Sequence, residues 1–346
     1  MQATTLISRG RQLGLTLIEF MVSIGLGMIL VAALATLIGD QSANRAEIDR
    51  AGRLIENGRF AVRALVDDVQ MAGYWGELNS VSTALAALPN PCSTAVTDIE
   101  AAMALHVQGY DSPASAAVPS CVFNHKTGTD ILVVRRADPD SSSLETAGVT
   151  DFAKLTDGQV YIQTGLVAAT GNFTYSLKAG SAGNAANFPL LKKDLATVAT
   201  VRKFITHIYY VANCSVQVGS TCTGADGGSP IPTLKMVELT SAGWTTVTIA
   251  EGIENMQVDY GQDTDTDGIP NASDVSGTGF GVADWQNVMS LKVHLLARGL
   301  EQTPGHSDGK TYSLGTGGTI AATTDNYKRH VFSQSVRLVN PSGRRM

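Results

Sequence analysis

At 346 residues, 44% of them apolar, the chain is long enough to bury one large core or two modest ones. Its formal net charge is −6, and because residues 1–14 carry Arg9 and Arg11 with no acid, the remainder is more acidic still. An acidic chain without a Lys/Arg run lacks the clustered cations that nucleic-acid binding requires, so that class of function is not expected.

The first element is a membrane span. Residues 20–39 contain no charged side chain, and as a helix they cover roughly 30 Å, the thickness of a bilayer core. Arg9 and Arg11 precede the run and Asp40 follows it, which places the N-terminus in the cytoplasm and everything beyond Asp40 outside. A secretory signal would have a shorter apolar core and a small-residue cleavage site, which Ala32, Ala33 and Ala35 mimic. Glu19 argues against that reading, because an acid at the head of the apolar run costs about 2.5–3.5 kcal/mol at the bilayer centre and needs a partner.

Gly14-Leu15-Thr16-Leu17-Ile18-Glu19 resembles the leader motif of type IV prepilins and type II secretion pseudopilins. The resemblance implies cleavage after Gly14 by a prepilin peptidase, with methylation of the new N-terminus. It also implies that the Leu15 ammonium of one subunit neutralises Glu19 of its neighbour during filament assembly. The family usually has Phe where this chain has Leu15, which keeps an apolar side chain. An uncleaved signal anchor is the alternative.

Leu54, Gly58, Ala61, Leu65, Val69 and Ala72 recur at spacings of three and four, so the helix is expected to leave the membrane and run to about Tyr74. Its length would then be roughly 90 Å. Gly52 and Gly58 each weaken it by about 1 kcal/mol relative to Ala and mark sites for a bend. Small residues one turn apart, Ser23 with Gly27 and Ala35 with Gly39, suit close helix packing. Asp67-Asp68 reads as a solvated face. Glu56-Asn57-Gly58-Arg59-Phe60-Ala61 and Met71-Ala72-Gly73-Tyr74 resemble the end of the first helix in the PilW family of minor pilins, with Gly73 as its cap and Tyr74 and Trp75 packing below.

Beyond Trp75 the pattern turns to short β-rich runs: 131–135, 160–164, 204–212, 234–239, 245–250, 256–260, 288–297 and 330–339. Residues 76–125 and 165–200 read as long loops. The expected fold is α+β and pilin-like, with a long N-terminal helix packed on an antiparallel sheet. The expected divisions are a leader at 1–14, a membrane half of the helix at 15–40, an extramembrane half at 41–75 and a β-rich head at 76–346.

The cysteines fall into two sequence-local pairs, Cys92 with Cys121 and Cys214 with Cys222. Four thiols allow three connectivities, and proximity favours the local one. Closing those loops contributes about 3.6 and about 2.5 kcal/mol on the loop-entropy account. No CxxC spacing suggests zinc, and an oxidising compartment fits better.

Asp263-Thr264-Asp265-Thr266-Asp267-Gly268 opens a twelve-residue loop with oxygen ligands at calcium-loop spacing. The candidate ligands are Asp263, Asp265, Asp267 and Asp274 by side chain, Ile269 by carbonyl, and Asn271 directly or through water. Asp274 stands where an EF-hand has Glu, and the DxDxDG core resembles thrombospondin type 3 loops. A solvated acidic turn is the alternative.

Glu251 to Gly261, Val288 to Arg298 and Tyr327 to Phe332 resemble the C-terminal strands of PilW proteins, whose relatives include the pseudopilin GspJ. The implied role is that of a minor pilin that primes assembly at the inner membrane and stays near the pilus tip, supporting twitching motility. Its partners would be major and minor pilins, the assembly platform and a tip adhesin. A GspJ-type pseudopilin is the alternative, followed by an anchored hydrolase or adhesin. His106, His125, His207, His294, His306 and His330 are scattered, and neither HExxH nor GxSxG occurs, so no enzyme is expected.

Overall fold

A computed structural model describes residues 14, 16–79, 81, 85–217, 221–321 and 323–345. The chain separates into two compact units, one ending at Arg50 and one starting at Ala51, and helix α1 (Leu17–Gln70) contributes to both.

In the first unit, the large apolar side chains of α1 from Leu17 to Ile38 are 42–78% exposed. Nothing among the described residues covers them. Among the described residues α1 is the one helix long and apolar enough to cross a membrane.

The second unit is the head. It adds short helices α2 (Val96–Ala102), α3 (Val282–Gln286) and α4 (Val339–Gly343). Its strands begin with β1 (Val107–Tyr110), β2 (Ile131–Ala137), β3 (Glu145–Thr146), β4 (Val149–Thr150), β5 (Val160–Leu166), β6 (Phe173–Ala179), β7 (Val201–Ala212), β8 (Thr233–Thr240) and β9 (Gly243–Glu251). They continue with β10 (Ile253–Gln262), β11 (Ala272–Val275), β12 (Val288–Arg298), β13 (Tyr312–Ser313), β14 (Thr319–Ile320) and β15 (Arg329–Arg337). Seven of the eight runs expected from the sequence lie wholly on strands; the eighth, 330–339, overruns β15 by two residues, since Leu338 caps α4 and Val339 begins it.

One sheet has the order β1-β2-β7-β5-β6, with β8 also on β7 and β9 on β8. The twelve-residue β7 carries β5 along residues 201–203 and β8 along residues 207–212. The other sheet runs β11-β10-β12-β15, and every pairing in both is antiparallel. The reading of 76–125 and 165–200 as loops is corrected: the first holds α2 and β1, the second β6. In β6, Phe173, Tyr175 and Leu177 alternate with Thr174, Ser176 and Lys178, a period-two signal set among Gly and Asn.

An apolar cluster joins Leu54, Ala61, Leu65 and Val69 of α1 to Leu132, Tyr209 and Val211 of the first sheet and to Val258, Leu291 and Val293 of the second. The stripe read from the sequence is therefore the surface that holds the head together. α1 is helical without interruption through Gly52 and Gly58. Gly58 is there for space: a Cβ at that position would overlap the ring of Phe332. The helix ends in a turn at 71–73, where Gly73 has φ +70 and donates its N–H to Arg135 O at 2.9 Å. Trp75 stacks on Phe204 with ring centroids 5.4 Å apart.

Residues 340–345 close the helix end. Asn340 Nδ2 donates to the carbonyls of Met71 and Ala72 at 3.4 and 3.3 Å, and Arg344 donates to that of Gly73. Carbonyls left over at a helix terminus are thus satisfied from a distant segment.

Asp68 corrects the sequence reading. Asp67 is exposed and faces Arg63, but Asp68 is buried and accepts from Arg136 Nε at 2.7 Å, His207 Nδ1 at 2.8 Å and Tyr209 Oη at 2.9 Å. The physical reason is helical geometry: position 68 is three residues after Leu65 and four before Ala72, so it lies on the buried stripe. Burial favours its neutral form, yet the bond and charge of His207, with Arg136, outweigh that and draw its pKa down to about 2.

Two predictions follow from this packing. Gly58→Ala should lower stability by about 1–3 kcal/mol through overpacking, despite the better helix propensity of Ala; in a Phe332→Ala background the cost should vanish, as a thermal-melt mutant cycle checks. The Asp68 carboxyl, whose folded pKa lies below its ordinary 3.8, contributes about 2 kcal/mol above that value and loses it as pH falls toward 2. Asp68→Asn should thus be less stable at neutral pH and show a shallower acid-side decline in denaturant midpoint between pH 5 and pH 2.

Candidate functional site

The start of α1 is built by local hydrogen bonds. Glu19 Oε2 accepts from the Thr16 N–H at 3.0 Å and from Thr16 Oγ1 at 2.9 Å, while Glu19 N–H donates to Thr16 Oγ1 at 3.4 Å. Thr16 and Glu19 thus form a capping box, and the T-x-x-E spacing was the sequence signal for it. Gly14 is exposed, and Leu15 lies outside the described residues. Glu19 has no cationic partner among the described residues of its own unit. Among the described residues it is satisfied by Thr16, on a helix surface that is largely apolar.

The acidic loop follows β10. Carboxylate oxygens of Asp263, Asp265 and Asp267 come within 4.8 Å of one another. Two left-handed residues, Thr266 at φ 68 and Gly268 at φ 81, reverse the backbone around them. Asp263 is fully buried: Oδ1 accepts from Thr266 N–H at 2.7 Å, and Oδ2 from Gly268 N–H at 2.9 Å and Arg345 Nη1 at 3.1 Å. Burial resists ionisation there, but the Gly268 N–H and the Arg345 guanidinium prevail and bring the carboxyl to about 2. Asp265 is pushed upward by its hydrogen bond to Asp263.

Of the other three expected ligands, the Asn271 and Asp274 side chains have partners, and Ile269 is bonded through its N–H and not through the carbonyl expected to ligate. Asn271 Oδ1 accepts from Thr264 N–H at 3.0 Å, Asp274 Oδ1 faces Lys292 Nζ at 3.3 Å, and Ile269 donates its N–H to Asp267 at 2.7 Å. Three close carboxylates suit a hard cation. In this geometry, Arg345 supplies positive charge to the one that is buried.

The four cysteines pair as proximity suggested, Cys92 with Cys121 and Cys214 with Cys222. Two of the histidines meet buried acids. His207 meets Asp68, and His294 Nε2 lies 3.2 Å from Asp259 Oδ2. Both contacts cross strands or elements far apart in the chain, which sequence motifs do not register.

An exposed apolar N-terminal helix that continues into an antiparallel β head is a pilin-like architecture. Residues 208–340, a little over a third of the chain, match the PilW family model, described as Type IV Pilus-assembly protein W. No curated protein matches. Among solved structures, a type IV-like pilin from Thermus thermophilus is similar at 12% identity and a TM-score of 0.35, over 84% of this chain and 97% of that one. In fold the chain is pilin-like, and the C-terminal part of its head, residues 208–340, resembles a family described by pilus assembly.

Proposed function

We propose that the protein is a minor pilin that primes assembly of a type IV pilus and is retained near its tip. The observation that carries the reading is the uncovered apolar helix with Glu19 at its head, joined to a head whose residues 208–340 match PilW. In this mechanism a prepilin peptidase cuts after Gly14, and the Leu15 ammonium, methylated, pairs with Glu19 of an adjacent subunit. The pairing removes the cost of a lone carboxylate in an apolar filament core, where a charge is worth neutralising.

Before assembly the helix spans the inner membrane once, with the leader cytoplasmic and the head periplasmic. Two disulfides suit that compartment. The head would then offer its surfaces to other minor pilins, the major pilin, the assembly platform and a tip adhesin. The same helix serves a GspJ-type pseudopilin equally well, and the two roles differ in which machine fails when the protein is lost.

Deleting the gene should abolish surface pili and twitching while leaving exoprotein secretion intact, and a Glu19→Val copy should be processed after Gly14 yet fail to restore pili. Intact pili with lost secretion would move the protein to the secretion pseudopilus. A mature N-terminus far from Leu15 would sink the prepilin reading altogether.

We also propose calcium at Asp263, Asp265 and Asp267, favoured by their convergence. Adding calcium should raise the melting temperature of the full chain in detergent, and Asp265→Asn with Asp267→Asn should remove that rise. No rise in the unmodified protein would leave the loop as a turn braced by Arg345.

A further inference from the structure

On the face of the second sheet opposite α1, three side chains from adjacent strands make a continuous relay. Asp259 on β10 is fully buried and its Oδ2 lies 3.2 Å from His294 Nε2 on β12. His294 is buried as well, and its Nδ1 lies 2.7 Å from Ser333 Oγ on β15, whose side chain is exposed. A neutral imidazole that donates from Nε2 to the carboxylate presents Nδ1 as the acceptor of the serine hydroxyl proton, and this is the tautomer that the relay requires. Acid, base and hydroxyl therefore stand in the order that activates a serine, with the hydroxyl at the solvent end.

The relay is held from outside. Thr316 donates to Asp259 Oδ1 through its N–H, at 3.0 Å, and through its hydroxyl. Gly315, at φ 62, lies so close that a Cβ there would overlap both the Asp259 carboxylate and His294 Nε2. Only glycine lets this turn seal the acid–imidazole pair from water. Ser333 is left open.

The register supplies a donor for developing negative charge. Leu338 N–H donates to Met289 O at 2.8 Å, and this pair continues the β12–β15 ladder, in which His294 stands opposite Ser333. Hydrogen-bonded and non-hydrogen-bonded pairs alternate, so His294 and Ser333 are a non-hydrogen-bonded pair. The Ser333 N–H then points away from β12, and β15 is the outer strand of its sheet. In serine acyl transfer, the nucleophile's own N–H is one of the groups that bind the oxyanion.

We propose that Ser333 is a nucleophilic serine that accepts the acyl group of a small ester, with His294 as its general base and Asp259 as the residue that positions His294. Ser333 Oγ bonds to the carbonyl carbon as its proton passes to His294 Nδ1. The ester C–O bond then breaks, and the departing alkoxide takes that proton from Nδ1 and leaves as the alcohol. Water, activated by the same nitrogen, hydrolyses the acyl-serine to the free acid and restores Ser333.

The test uses the full chain in detergent with p-nitrophenyl acetate, reading the nitrophenolate burst and the acetylated peptide by mass spectrometry. Acetyl should appear on Ser333, and Ser333→Ala, at an exposed position, should abolish the burst with no change in melting temperature. His294→Gln should slow the burst about a hundredfold. Asp259→Asn should lower its rate at saturating ester without moving the half-saturating concentration, which a loss of fold would not do. Ser335→Ala, on the same strand without an imidazole, should leave it unchanged. A burst that survives Ser333→Ala, acetyl found only on lysines, or an unmodified protein with no burst would overturn the proposal.

Discussion

One stripe of one helix, from Leu54 to Ala72, is shared by two sheets that exchange no strand. Each Leu or Val buried there contributes about 1.5–3 kcal/mol, and the same atoms count toward both sheets because the cluster is continuous. Asp68 lies on this stripe, so a charge is carried into the core and must be answered there. Arg136 on β2 and His207 and Tyr209 on β7 do so, which ties the register of those central strands to a single helical position. An apolar residue at 68 would pack without specifying that register.

Glu19 and Asp68 place the same chemical group on one helix under opposite circumstances. Asp68 is surrounded by partners from its own chain. Glu19 has only Thr16, whose bonds complete a capping box but bring no countercharge. A helix surface left apolar over 17–38 has unmet demand for contact, and its leading carboxylate has unmet demand for a cation. Under the proposed assembly role, a second copy of such a helix would meet both demands.

Much of the head was legible in the residues. The helical stripe, the eight main strands and the local cysteine pairing each rest on a short-range pattern, and the structure contains all of them. What escaped has a common cause. Asp68 looked solvated because Asp67 beside it is, and only its phase relative to Leu65 and Ala72 distinguished the two. β6 was hidden by the Gly- and Asn-rich composition around a seven-residue alternation. The Asp259–His294–Ser333 relay spans separations of 35 and 39 residues and depends on cross-strand register, which no linear motif encodes. The acidic loop was found by spacing, but the role of Arg345 beside Asp263, 82 residues away, was not.

The closure of the α1 terminus by residues 340–345 sets an order of events during synthesis. Asn340 and Arg344 are made 268 to 271 residues after the carbonyls they satisfy. At about 5–20 residues per second, roughly 15 to 50 seconds pass between the two. For that interval the carbonyls of Met71, Ala72 and Gly73 lack the partners they have in the folded head, while the strands that cover the apolar stripe are already being made. The last bonds of the α1 terminus therefore form only after β15 and α4 have been made, so the end of the first element is completed by the end of the last.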